Sequence, residues 1–260
     1  GTGKTLMIKV LQKILSEYNI PIAFADATTL TESGYAGDDV DSVLIKLLQA
    51  ANYNINSAQK GIVFIDEIDK IAKNTSNTAR DVSGESVQQS LLNMLQGAVI
   101  TVNLNNKKQT SNENITIDTK KILFICAGAF SGLQEIIKED RIKKVIGFNL
   151  NKNESKDLKF DVESKDLIKF GLTPEFVGRL NSTIILNSLS ENEFYDILIN
   201  PSNSLIKYYE DLFNTRGGKL TFEDNAIKKI ANIAYENKLS ARGLKKILDE
   251  ILFLGYIVES

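Results

Sequence analysis

The first five residues, Gly1-Thr2-Gly3-Lys4-Thr5, have the types and spacing of a phosphate cradle. A complete P-loop reads G-x-x-x-x-G-K-[ST], and Gly1 stands at its fourth position. Such a loop points backbone N–H groups into an anion-binding concavity at a helix N-terminus. Lys4 then reaches the β- and γ-phosphates, and the Thr5 hydroxyl binds Mg²⁺. About sixty residues on, Ile62-Val63-Phe64-Ile65-Asp66-Glu67 reads as a buried strand ending in two carboxylates. Asp66 at the strand tip can hold the Mg²⁺, and Glu67 can polarise an attacking water. Each element alone has a plainer reading: a glycine turn before a helix, or a core strand with acidic ends. Together, in this order, they point to a site that binds and hydrolyses a nucleoside triphosphate.

Composition narrows the chemistry further. The chain has no histidine, which removes His-metal sites, Ser-His and Cys-His nucleophiles and a His general base. A carboxylate must do any base chemistry, and that returns attention to Glu67. The single cysteine, Cys126, excludes an internal disulfide or a cysteine-cluster metal site and suits a reducing interior. It sits in the apolar run Ile122-Leu123-Phe124-Ile125-Cys126, where a buried structural thiol is expected. A net charge of −2 gives no support for a nucleic-acid partner. No apolar stretch approaches the ~18 residues that a membrane span needs. Hydrophobic content of 43% over 260 residues is ordinary for a globular chain and enough for two domains.

The elements that must position these residues alternate helix and strand. Apolar residues at helical spacing run from Lys4 to about Tyr18, and Pro21–Ala25 reads as a strand. Val40–Ala51 is helical, with Val43, Leu44, Leu47 and Leu48 on one face. The strand Ile62–Ile65, a helix over about 82–95 and the strand Ile122–Cys126 follow. This βαβ pattern predicts an α/β fold: a parallel sheet flanked by helices, with ligands at the carboxyl ends of the strands. From about Asn187 the pattern turns helical, over roughly 190–213, 223–237 and 241–256, with one short strand candidate near Leu220. Ser190 and Glu193 make a capping box at the first of these. The expected organisation is a large α/β domain over 1–187 and a small, mostly helical domain over 188–260. The polar stretches Asn103–Asn114 and Asn149–Ser155 read as surface insertions.

The segment Ala25-Asp26-Ala27-Thr28-Thr29-Leu30-Thr31-Glu32-Ser33-Gly34-Tyr35-Ala36-Gly37 closely resembles the first pore loop of the ClpX family of protein unfoldases. The resemblance continues through Ile65-Asp66-Glu67-Ile68-Asp69-Lys70, Arg80-Asp81-Val82-Ser83-Gly84-Glu85, Ile122–Cys126, Gly171–Leu180 and Ala241-Arg242-Gly243-Leu244. It implies an AAA+ P-loop ATPase that acts as a homohexameric ring on unfolded or tagged proteins, with ATP rather than GTP as fuel. Read alone, Gly34-Tyr35-Ala36-Gly37 is a tyrosine in a tight surface turn. The resemblance instead makes Tyr35 and Ala36 a pore loop that grips substrate, with Arg80 and Val82 in a second one.

By the same resemblance Arg179 stands where the family carries its arginine finger, and Arg242 where it carries a second sensor arginine. Without it, Arg179 reads equally well as half of a surface salt bridge. Arg242 opens a helix, where a cation gains nothing from the helix dipole, and that local misfit favours a functional role. Ile146-Gly147-Phe148 stands where ClpX proteins carry the loop that docks a ClpP-type peptidase; read alone, it could simply pack on the domain body. A related unfoldase, HslU, shares the Gly-Tyr-x-Gly loop but is not expected to carry that tripeptide. The other rival is an AAA+ nucleic-acid motor, which the charge and the aromatic pore loop disfavour. Two departures stand out. The polar sensor residue of many AAA+ proteins is not evident after Cys126, where Ala127-Gly128 stands and the ClpX family also has a glycine, and Lys107-Lys108-Gln109 replaces an Arg-Lys-His loop. The implied location is intracellular, with the choice between a bacterial cytoplasm and the matrix of an endosymbiont-derived organelle left open.

Overall fold

Short runs of β-branched and aromatic residues become parallel strands, and the amphipathic stretches between them become helices. The computed structural model describes residues 3–31, 38–73, 82–104, 113–145, 161–200 and 204–258. The chain divides into two compact units, Thr5–Ile185 and Leu186–Ser260, the second grouped with the start of the chain through Lys4. The first part of the chain runs α1 (Lys4–Ser16), β1 (Ile22–Asp26), β2 (Leu30–Thr31), β3 (Asp38–Asp39), α2 (Ser42–Ala50), α3 (Ile55–Ala58) and β4 (Ile62–Asp66). It continues through α4 (Val82–Leu95), β5 (Val99–Leu104), β6 (Glu113–Asp118), β7 (Leu123–Cys126), α5 (Leu133–Val145), α6 (Ser164–Phe170) and α7 (Pro174–Val177).

Strand β4 lies between β1 and β7 and is parallel to both. Ile22 stands opposite Ile62, Asp26 opposite Asp66, and Ile62 opposite Leu123. The predicted α2 face forms as expected: Val43, Leu44, Leu47 and Leu48 are all completely buried, and the helix packs on β1. Helix α1 also forms, but its apolar stripe is not a core face in this structure. Leu6, Met7, Val10 and Ile14 are exposed, and no residue of the helix is fully buried.

The stretch read as a polar insertion at 103–114 is bounded by structure. Strands β5 and β6 pair antiparallel, with Val99 opposite Asp118 and Leu104 opposite Glu113. Val102 and Ile117 point into the core, so alternation on both arms holds the hairpin to the body. The second stretch, at 149–155, lies outside the described residues.

One buried amide ties three segments of this unit together. Gln88 on α4 is fully buried; its Nε2 donates to the Ile71 carbonyl at 2.7 Å, and its Oε1 accepts from the Thr173 N–H at 2.8 Å. Thr173 is the residue before α7, and Ile71 ends the turn that follows β4. Gln88→Leu keeps the volume but strands a buried carbonyl and a partly buried N–H. It is expected to cost about 2–4 kcal/mol, read as a lower denaturation midpoint of the large unit.

The second unit is built from α8 (Glu191–Ile199), α9 (Leu205–Thr215), α10 (Asp224–Glu236) and α11 (Ala241–Val258). Its own core gathers Phe194, Leu198, Ile206, Ala231, Leu244 and Leu248. The capping box at its start is present: Ser190 Oγ accepts from the Glu193 N–H at 3.3 Å, and Glu193 Oε2 accepts from the Ser190 N–H at 2.7 Å. The Ser190 N–H and then its hydroxyl, which also donates to Oε2 at 2.8 Å, favour the ionised carboxylate and hold Glu193 below its ordinary pKa. Two expectations fail here. The single helical pattern at 190–213 is two helices, and Pro201, which has no N–H to donate, falls between them in the sequence. Leu220 belongs to no strand; it packs, partly buried, on the helical core, which accounts for its apolar signal. The Tyr209 hydroxyl donates to the Asp249 carboxylate and joins α9 to α11; burial, then that bond, pushes the tyrosine pKa up. No helix among the described residues is long and apolar enough to cross a membrane.

Candidate nucleotide site

Parallel strands bring their carboxyl ends to one edge of the sheet, and the β1–β4 register places Asp26 beside Asp66 there. Thr5, on the first turn of α1, donates its hydroxyl to Asp66 Oδ2 at 2.7 Å, across 61 residues of sequence. Asp66 Oδ1 accepts from the Glu67 N–H at 3.0 Å. Glu67 itself is exposed and stands in the left-handed region at φ 57°, ψ 31°. A cavity of about 430 Å³ opens at this edge, with Thr5, Asp26, Thr29, Lys46 and Asp66 supplying its polar wall and Phe24 and Phe64 its apolar one. The two rings meet edge to face at 5.9 Å.

The Thr5 hydroxyl and the Asp66 carboxylate present hard oxygen donors side by side, the set that suits Mg²⁺. Gly3 precedes α1 at φ 82°, a conformation that favours glycine, so the loop-to-helix turn needs that residue type. Lys4 is the first residue of α1. The orphan N–H groups of that first turn make the helix start an anion site. The arrangement can therefore hold a phosphate at the helix start and a divalent cation at Thr5 and Asp66.

Among the residues read from sequence, the structure brings Thr5, Asp66 and Glu67 together. Arg179 is exposed on the turn after α7, and its guanidinium makes no ion pair among the described residues. That turn is firm, because Phe176 and Val177 are buried beside it and the Arg179 N–H donates to the Phe176 carbonyl at 3.1 Å. Arg242 is exposed at the second position of α11, in the other unit. Gly1, Thr2, Tyr35, Ala36, Arg80, Ile146, Gly147 and Phe148 lie outside the described residues, as does the side chain of Val82, whose backbone opens α4. Glu85, one turn further on, pairs with Lys73 at 2.8 Å.

Sequence reasoning missed two carboxylates at this edge. Asp26 lies one residue past the strand expected at Pro21–Ala25; its Oδ1 accepts from the Thr28 N–H at 2.8 Å and the Thr28 hydroxyl at 2.6 Å. Asp69 is 9% exposed and accepts from the Ala129 N–H at 3.0 Å.

Cys126 ends β7, partly buried against the core, and burial pushes its thiol up to about 12. It is expected to resist alkylation at neutral pH in the folded protein and to react on unfolding, which a denaturant series with a thiol reagent would follow. Because the folded thiol keeps its proton beyond its ordinary 9.0, this contribution to stability is complete below about pH 9. It is lost as pH rises from there toward 12.

A parallel sheet with a phosphate turn, a hydroxyl-bearing helix start and paired strand-tip carboxylates defines a P-loop nucleotide-binding ATPase. The AAA domain family (Cdc48 subfamily) matches residues 1–183, and the chain belongs to that family. Beyond the family, the chain is similar to the ATP-dependent Clp protease ATP-binding subunit ClpX of Borrelia duttonii, 47% identical over 259 residues, covering 97% of this chain and 59% of that protein. The ClpX subunit of Borrelia recurrentis matches equally, and that of Bacteroides thetaiotaomicron is 44% identical with 62% of its length covered. The chain thus spans about three-fifths of the length of these relatives.

Proposed function

We propose that the chain is the ATPase module of an ATP-driven protein unfoldase of the ClpX type, hydrolysing ATP to move polypeptide through a homohexameric ring. The observation that carries this reading is the 47% identity to a ClpX subunit across 97% of the chain, both units included. Residues 1–187 form the large ATPase domain, and 188–260 the small one. Bound Mg²⁺ supplies positive charge at the phosphate oxygens, and Thr5 and Asp66 would hold it. The backbone of Gly1, Thr2 and Gly3 cradles the phosphates, and Lys4 offsets their charge. Glu67 orients the attacking water and accepts its proton at a carboxylate oxygen. Arg179, reaching in from a neighbouring subunit, stabilises charge that develops on the γ-phosphoryl oxygens. Arg242 responds to the state of the nucleotide.

Tyr35 and Ala36, with Arg80 and Val82, line the pore and grip tagged or unfolded substrates without reading their sequence. Ile146, Gly147 and Phe148 dock a ClpP-type peptidase. Full-length protein with ATP and Mg²⁺ is expected to abolish the fluorescence of a tagged, stably folded reporter, and ADP is expected to leave it unchanged. ATP turnover with the reporter intact would keep the ATPase and remove the unfoldase.

A further inference from the structure

The turn that carries Glu67 is held in a conformation that its residue type does not favour. Left-handed backbone is strained for any residue with a side chain and persists only where its surroundings over-determine it. Four hydrogen bonds do so here. The Glu67 N–H donates to Asp66 Oδ1 at 3.0 Å, and the Ile68 N–H to the Ala127 carbonyl at 2.9 Å. The Lys70 N–H donates to the Glu67 carbonyl at 2.9 Å, and Asp69 Oδ1 accepts from the Ala129 N–H at 3.0 Å. Two of these run from backbone to backbone and survive any substitution that keeps an N–H. Of the two carboxylates in the set, Asp66 belongs to the cation site. Asp69 does not.

The opposing segment, residues 127–130, continues β7 and is just as constrained. The Ala127 N–H donates to the Ile65 carbonyl at 2.8 Å, so this segment extends the sheet past the last ladder pair. Neither Ala127 nor Gly128 offers a polar side chain, so the loop meets the β4 turn with backbone alone. A Cβ at Gly128 would stand 2.5 Å from Asp69 Oδ1 and 2.8 Å from the Phe130 ring. Phe130 is itself left-handed at φ 49°, with its ring 5.2 Å from that of Phe170. The buried Asp69 carboxylate thus fills the joint between two strained turns, one of which presents Glu67.

We propose that Asp69 is a positioning residue for the hydrolysis step: by clamping the loop after β7 to the turn after β4, it fixes the direction in which Glu67 points. This rests on the reading of Glu67 as the general base. Asp69 is buried and acts through backbone, so its removal changes the aim of the base and leaves the phosphate and cation contacts in place. Gly128 is part of the same device, because any side chain there takes the space of the carboxylate.

The test is steady-state ATP hydrolysis and nucleotide binding by the full-length protein carrying Asp69→Ala, Asp69→Asn or Gly128→Ala, and Asp69→Ala combined with Glu67→Gln. Asp69→Ala is expected to lower kcat on the order of tenfold to a hundredfold, the scale of a small misplacement of a reacting group. KM for ATP should stay within about twofold, since ground-state binding is untouched. Asp69→Asn retains an oxygen that can accept from Ala129 and is expected to restore most of kcat. In the Glu67→Gln background, Asp69→Ala should lower the residual rate no further. Should Asp69→Ala fail to fold, Gly128→Ala disturbs the joint from its other side and is expected to lower kcat with KM held. Wild-type kcat in Asp69→Ala, parallel loss of kcat and nucleotide binding, or no rescue by Asn would overturn the proposal. Glu67→Gln with full turnover would instead overturn the assignment of the base.

Discussion

Arg179→Ala is expected to bind ATP as the wild type does and to hydrolyse it about 10³–10⁵-fold more slowly, the range for loss of an arginine finger. The local structure makes that outcome informative. Arg179 is exposed and makes no ion pair among the described residues, so truncating it breaks none of those pairs. A surface substitution of this kind changes stability by about 0.5 kcal/mol at most. Yet the turn that presents it is rigid: Phe176 is fully buried, and the helix start at Thr173 is bonded to the buried Gln88. On the proposed reading, the partner of this exposed cation lies on a neighbouring subunit. If that partner is the γ-phosphate of a neighbouring site, mixed rings distinguish the role. Rings made from Arg179→Ala and Glu67→Gln subunits contain some sites with an intact Glu67 and an intact Arg179 from different chains. Such mixtures should recover activity that neither parent ring has. Mixtures as inactive as their parents would place Arg179 in its own subunit's site or outside the chemistry.

Glu67→Gln should trap ATP without turning it over, with kcat lower by about 10²–10⁴-fold, the usual contribution of a positioned general base. The substitution is nearly isosteric, and none of the hydrogen bonds that set the turn uses the Glu67 side chain. The Thr5–Asp66 pair is untouched, so nucleotide and cation affinity should hold. An amide cannot take the proton of the attacking water, and that single loss is what the rate reports. With no histidine in the chain, no imidazole can substitute as base. Turnover near the wild-type rate would move the base to another carboxylate of the strand edge, and Asp26 is the one in register with Asp66.

Local signals were the ones that could be read without the structure. The apolar run before Asp66 reads as a buried strand, and the 3.6-residue stripe of α2 reads as a core-facing helix, as both prove to be. The Ser190–Glu193 capping box is a four-residue pattern complete in itself. What could not be read depends on pairings distant in sequence. The hairpin of β5 and β6 was hidden because its two arms flank an Asn-rich tract whose polarity masks their alternation. Asp26 acquires a place at the site only through the β1–β4 register, and Asp69 only because Ala129, sixty residues away, donates to it. Helix α1 was legible as a helix, but which neighbours would cover its apolar side was not. The pore and docking residues rest on resemblance, because isolated Gly-Tyr-Ala-Gly or Ile-Gly-Phe motifs suit an ordinary surface loop equally well.

The central claim, that ATP hydrolysis here drives a pore loop along a polypeptide, is tested most directly by Tyr35→Ala in the full-length protein. The measurement pairs the ATPase rate with ATP-dependent fluorescence loss of a tagged, stably folded reporter, for wild type and variant side by side. Unfolding by the wild type that is abolished in Tyr35→Ala, with ATPase largely kept, is the predicted result. Unfolding that persists in Tyr35→Ala at the wild-type rate per ATP would contradict it.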